Sequence, residues 1–88
     1  MKVAVWDTYV TKTDGKIMHF DILAPDHLND KEQIYAYGKQ YLATKGQQNS
    51  TLTAKECRFC HIDQAPAEIE AAIEANGYYI IEMEGCQN

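Results

Sequence analysis

The sequence predicts an α+β fold, a four-stranded mixed sheet with two helices packed on it, and three observations carry that prediction. Two stretches of strand-like alternation, residues 2–11 and 16–24, flank an Asp14-Gly15 turn signal. A helical stripe runs through Ile34, Tyr37, Gly38, Tyr41 and Leu42 at i, i+3, i+4, i+7 and i+8. Near the end, Tyr78-Tyr79-Ile80-Ile81-Glu82-Met83 is rich in aromatic and β-branched residues and reads as a strand. With the elements between them, the order is strand-strand-helix-strand-helix-strand, which two-layer packing resolves most simply as α+β.

Taken in order, residues 2–11 place Val3, Val5 and Tyr9 on one face and Ala4, Trp6 and Val10 on the other. The return strand, Lys16–Ala24, sets Met18, Phe20 and Ile22 against Ile17, His19, Asp21 and Leu23, and Pro25 closes it. With Asp14-Gly15 as a two-residue loop, Val10 pairs with His19 and Thr8 with Asp21. That register gives a core face of Val3, Val5, Tyr9, Met18, Phe20 and Ile22, and an opposite face of Trp6, Thr8, Val10, His19 and Asp21. A slip of one residue in the loop would change the partners and could turn a strand over.

Asn29 or Asp30 caps the first helix, each with an acid or amide three positions on, and Lys45-Gly46 stops it. Gln47–Thr51 is a polar linker. The stretch from Thr53 to Asp63 follows, with Glu56–Ile62 as an inner strand in its plainest reading, although Thr53-x-x-Glu56 has the spacing of a short helix cap. Pro66 suits a first helical position, Ile69, Ala72 and Ile73 form the second apolar stripe, and Asn76-Gly77 ends it. Glu68, Glu70 and Glu74 then make that helix's wet side. The last three elements look like a βαβ unit with a right-handed crossover.

The 88 residues fit a single domain, 1–88, since domains commonly run to roughly 100–150 residues. Thirteen acidic residues against eight basic give a net charge of −5, and the basic ones are scattered singly. Nucleic-acid binding needs a basic face that displaces counterions, so no nucleic-acid partner is expected. No membrane partner is expected either, because no apolar run is long enough for a span or a signal-peptide core. The expected location is cytoplasmic, where thiols stay reduced, and three cysteines do not close into a disulfide framework. Tyr35, Tyr37 and Tyr41 leave room for a homo-oligomer contact.

The stretch with the most chemistry is Glu56-Cys57-Arg58-Phe59-Cys60-His61. Thiolate and imidazole donors suit zinc, which takes four tetrahedral ligands in structural sites. Cys57, Cys60 and His61 would supply three, with Cys86, ahead of His19 or His27, as the fourth. This requires the segment to turn, because a regular strand points Cys57 and Cys60 to opposite faces. Cys-x-x-Cys-His is also the haem-attachment pattern, but haem is disfavoured in a chain without an export signal. A dithiol redox site is a further use, with Arg58 and His61 activating a thiolate, but no glycine or proline lies between the cysteines. The plainest alternative makes Cys57, Phe59 and Cys60 buried fillers of an inner strand. Separately, Thr8, His19 and Asp21 fall together on one hairpin face near Trp6, an acid–base arrangement or simply a solvated face.

Four blocks, Trp6-Asp7-Thr8-Tyr9-Val10, Met18-His19-Phe20-Asp21, Glu56–His61 and Gly77–Met83, resemble a family of small bacterial proteins, Domain of Unknown Function 2024. The likeness covers nearly the whole chain. It implies the α+β fold in the element order above, and no activity, cofactor or site residue. The functional expectation is therefore a small binding or interaction protein, with zinc at Cys57, Cys60, His61 and Cys86 as its special site. The rival is a thiol-dependent redox or small-molecule enzyme using Cys57 or Cys60 with His61.

Overall fold

A long hairpin forms the centre of the molecule. The computed structural model, which describes residues 1–86, has β1 (Lys2–Thr11), β2 (Ile17–Pro25), α1 (Lys31–Thr44), β3 (Cys57–Gln64), α2 (Ala67–Asn76) and β4 (Tyr79–Glu84). The strands form one sheet in the order β3-β1-β2-β4. The element order is the expected one, but the sheet is antiparallel throughout rather than mixed. β3 and β4 occupy opposite edges, so the last three elements form no βαβ unit; α2 instead carries the chain from one edge across to the other.

The hairpin loop sets everything that follows. Thr11 faces Ile17, Lys12 N–H donates to Lys16 O, and Gly15 N–H donates to Lys12 O. Thr13, Asp14 and Gly15 therefore make a three-residue loop, with Gly15 at φ 86° supplying the left-handed residue that such loops use. The expected two-residue loop is off by one. Thr8 faces Phe20, Tyr9 faces His19 and Asp7 faces Asp21, so β1 lies the other way up relative to β2.

One sheet face consequently carries Ala4, Trp6, Val10, Met18, Phe20, Ile22 and Ala24, and α1 covers it with Ile34, Tyr35, Tyr41 and Leu42. Asp30 caps α1 by accepting from Glu32 N–H. Gly38 brings the helix close: a methyl there would lie 2.3 Å from Leu52 Cδ2 and 3.0 Å from Ile22 Cδ1. The other face carries Val3, Val5 and Leu23, covered by Ile69 and Ile73 of α2 together with Ala65 and Ile81. Pro66 sits just ahead of α2 as its N-cap, and Gly77 ends the helix in the left-handed conformation.

β3 departs from the inner strand expected of it. Only Cys57 is buried, and the seven residues from Arg58 to Gln64 are exposed. Its register against β1 slips between Val5 and Trp6, which face His61 and Phe59, leaving Cys60 as a bulge residue. Thr53–Glu56 is a single turn, closed by Glu56 and Cys57 N–H groups donating to Thr53 O, and it delivers the chain into β3.

Candidate functional site

The α2 face of the sheet is covered only at one end. Beyond Val5 and Leu23, its next residues are Asp7 and Tyr9 on β1 and Asp21 and His19 on β2, paired directly across. The short α2 does not reach them. Their side chains converge: His19 Nε2 lies 2.6 Å from Asp7 Oδ1 and 3.8 Å from Asp21 Oδ1. Asp7, His19 and Asp21 are the one group of three or more potential metal-ligating side chains, among the described residues, whose ligand atoms lie within 4.8 Å of one another.

The surroundings fix this group. The Tyr9 ring stacks on the His19 imidazole, with centroids 4.0 Å apart and planes 9° from parallel. Glu84 on β4 faces His19, and Arg58 on β3 faces Asp7. The Asp21 side chain is only 15% exposed, and its Oδ1 is buried with no hydrogen-bond partner. Burial first, and then the Asp7 carboxylate beside it, hold the Asp21 carboxyl above the ordinary aspartate range; His19 and His61 act in the opposite sense. Tyr9 is likewise raised, by burial and then by Asp7, Asp21 and Glu84. A second proton or a metal ion relieves two carboxyls so placed. A depression of about 250 Å³ lined by Asp7, Tyr9, Lys55, Glu56 and Arg58 opens beside the group. A larger one of about 580 Å³, bordered by Gln40, Thr44, Ala72, Asn76 and Tyr78, shares no residue with it.

His19 and Asp21 were expected together and are together, but with Asp7 and Tyr9 instead of Thr8 and Trp6. Thr8 is fully buried on the α1 face, donating to Trp6 O at 3.3 Å and contacting Cys57 Sγ at 3.4 Å. Asp7 and Tyr9 were missed because the two-residue loop turned them toward the core. The glycine one position later in a three-residue reading of the same loop was the available signal.

The four residues expected to hold zinc are not gathered. Cys57 is buried under α1, its thiol pushed up by burial with the Thr8 hydroxyl opposing. Cys86 is buried in the same core, its thiol pointing to His19 O at 3.3 Å. Cys60 and His61 are exposed and sit side by side, Sγ to Nδ1 3.2 Å, because the bulge puts both on the α2 face. His27 is exposed in the turn after β2, its Nδ1 4.0 Å from Asp26 Oδ1. Of the tyrosines, Tyr35 and Tyr41 are core, and Tyr37 stacks on Tyr78 at 4.5 Å.

A profile of the family described as a domain of unknown function, DUF2024, matches residues 1–83. The chain belongs to that family. Its fold is similar to the NMR structure of protein NE1680 from Nitrosomonas europaea, with a TM-score of 0.85 and 44% identity over 99% of this chain and 100% of that one. No curated protein matches. No helix among the described residues of this DUF2024 chain is long and apolar enough to cross a membrane. The family description names no chemistry.

Proposed function

We propose that the protein is a small binding protein that holds a divalent transition-metal ion, zinc foremost, through Asp7, His19 and Asp21. The observation that carries this reading is the convergence of one imidazole and two carboxyls from adjacent strands, one of whose oxygens is buried without a hydrogen-bond partner. Imidazole and carboxylate are both good zinc donors, and tetrahedral bonds of about 2.1 Å set ligand atoms about 3.4 Å apart. The His19–Asp7 and His19–Asp21 separations of 2.6 and 3.8 Å bracket that value. Metal would replace the direct contact between His19 Nε2 and Asp7 Oδ1, and because ligation needs both donors deprotonated, affinity falls on acidification. Three protein ligands leave a further position toward solvent, available to water or a small ligand.

Isothermal titration of the reduced, chelator-treated protein with zinc tests this. One ion per chain is expected. His19→Gln should weaken binding by at least about 100-fold, since loss of a group that merely orients a ligand already costs about 10–100-fold. Cys60→Ser should leave the affinity unchanged. Absence of binding, or binding that survives His19→Gln, rejects the site.

The thiol reading keeps one specific support, the Cys60–His61 contact on the same open face. It requires Cys60 to react with iodoacetamide much faster than a free thiol at neutral pH, with the advantage lost in His61→Gln. A rate equal to that of a free thiol ends it.

A further inference from the structure

We propose that β3 is a self-association edge, pairing antiparallel with β3 of a second copy about a two-fold axis that passes between Cys60 and His61. The proposal is independent of the metal site. β3 ends the sheet, bonded to β1 on one side, and its residues from Arg58 onward are exposed. It carries two large apolar side chains in the open, Phe59 at 52% and Ile62 at 46% exposure. Phe59 is already held edge-on against Trp6, centroids 5.7 Å apart, so little freedom remains to be lost on burial. Arg58 makes no ion pair among the described residues, and Asp63, which accepts from Gln64 N–H at 2.8 Å, has His61 as its ion-pair neighbour at 3.7 Å.

The order of residues along the strand makes it complementary to itself. A two-fold axis between Cys60 and His61 sets Arg58 opposite Asp63 of the other copy, Phe59 opposite Ile62, and Cys57 opposite Gln64, each pair occurring twice. Paired residues must share a sheet face, and in a regular strand residues three, five or seven apart do not. The bulge at Cys60 supplies the missing step. Arg58 and Asp63 face Asp7 and Val3, both on the α2 side. Phe59 and Ile62 face Trp6 and Ala4, and Cys57 and Gln64 face Thr8 and Lys2, all on the α1 side. Every pair therefore matches in facing, and two match in chemistry: Arg58 meets Asp63 on the α2 side and Phe59 meets Ile62 on the α1 side, while Cys57–Gln64 at the ends adds no such match. A bulge twists an edge away from a flat neighbour, whereas a copy with the same bulge, related by a two-fold, twists identically.

The other edge lacks this complementarity. β4 carries Glu82 and Glu84, and Glu82 is already held by Tyr41 Oη and Lys45 Nζ at 2.5 and 2.9 Å.

Sedimentation equilibrium of the full, reduced chain from micromolar to millimolar concentration tests the pairing. A monomer–dimer equilibrium is expected. Arg58→Asp and Asp63→Arg should each raise the dimer dissociation constant by at least about tenfold, because each sets like charges face to face. The two together should return it close to the wild-type value, since the pairs are then merely reversed. In the unmutated protein, isotope-filtered NMR of a mixed labelled and unlabelled sample should show Phe59 ring protons in contact with Ile62 of the other copy. A chain that stays monomeric at millimolar concentration overturns the proposal. So does a dimer indifferent to the single reversals, a double reversal no better than either alone, or a dimer without the Phe59–Ile62 contact.

Discussion

The two faces of this sheet are built from the same strands and end in different states. On the α1 side, alternate residues of β1 and β2 are apolar from Ala4 to Val10 and from Met18 to Ala24, interrupted only by Thr8. On the α2 side the apolar run stops at Val5 and Leu23, and Asp7, Tyr9, His19 and Asp21 take over. The helices follow the same division. α1 has 14 residues and α2 has 10, which at 1.5 Å per residue is about 21 Å against about 15 Å. The shorter helix crosses from edge to edge over the apolar end of its face. A surface meant only for solvent would not bury a carboxylate oxygen without a partner, and that is the respect in which the open half differs from an ordinary wet face.

The largest expected effect measures the closed face against the open one. Phe20 is fully buried between the sheet and Tyr41. Phe20→Ala should destabilise by about 3–5 kcal/mol, the lost transfer energy plus the cavity left behind. Tyr9→Ala, on a residue half exposed on the open face, should cost no more than about 1 kcal/mol. Urea unfolding of both variants decides it; similar midpoints would mean that the open face is as structurally necessary as the closed one.

A smaller effect carries the opposite sign and is confined to the open face. Asp21 has its carboxyl raised above the unfolded value, so the folded state binds the proton more tightly than the unfolded state does. Its contribution to stability is therefore fully present below the unfolded aspartate pKa and is lost as pH rises through the folded one. At neutral pH the ionised group works against folding. Asp21→Asn should raise metal-free stability there by about 0.5–1 kcal/mol, the scale of a cross-strand pair of like charges. The gain should vanish at acid pH. With saturating zinc the order should invert, because the wild type alone gains linkage free energy from the bound ion. A variant that is less stable in the metal-free protein at neutral pH would show that the cluster is a structural network and not a site kept at a cost.

Much of the fold was legible because apolar periodicity and punctuation agree along the chain. Asp30, Lys45-Gly46, Pro66 and Gly77 bound the helices close to where their chemistry places them. The facing of β1 was not legible, since it depends on whether Gly15 is the last residue of a two- or a three-residue loop, and a strand turns over with that single step. The same step hid Asp7 from the candidate site while leaving His19 and Asp21 in view. β3 was misjudged for a different reason. Cys57, Phe59 and Cys60 read as buried fillers by type, but strand order decides burial, and on this edge strand only Cys57 is buried. Likewise, Cys-x-x-Cys spacing gathers thiols only where the chain turns, and here the turn at Thr53–Glu56 ends before Cys57, so that both cysteines lie in extended strand.

That turn provides the finest test of the contrast between the faces, because it lies beside the open one. The Glu56 carboxylate accepts from both the N–H and the hydroxyl of Thr53 at 2.8 Å, while Glu56 O accepts from Tyr9 N–H at 2.9 Å. The Thr53 hydrogen bonds hold the Glu56 pKa below its ordinary value, with burial opposing. Its stabilisation is thus present above the unfolded glutamate pKa and is lost as pH falls through the folded one. Glu56→Gln should cost about 0.5–1 kcal/mol, as does the loss of a cap, and the difference should close on acidification. The loss should also be local. Amide exchange at Tyr9 should accelerate, while Phe20 and Ile22, under α1, should exchange as in the wild type, since regions with few buried contacts open independently of the core. Equal acceleration on both sides would mean that the two faces open as one cooperative unit, and that the open half is no looser than the closed one.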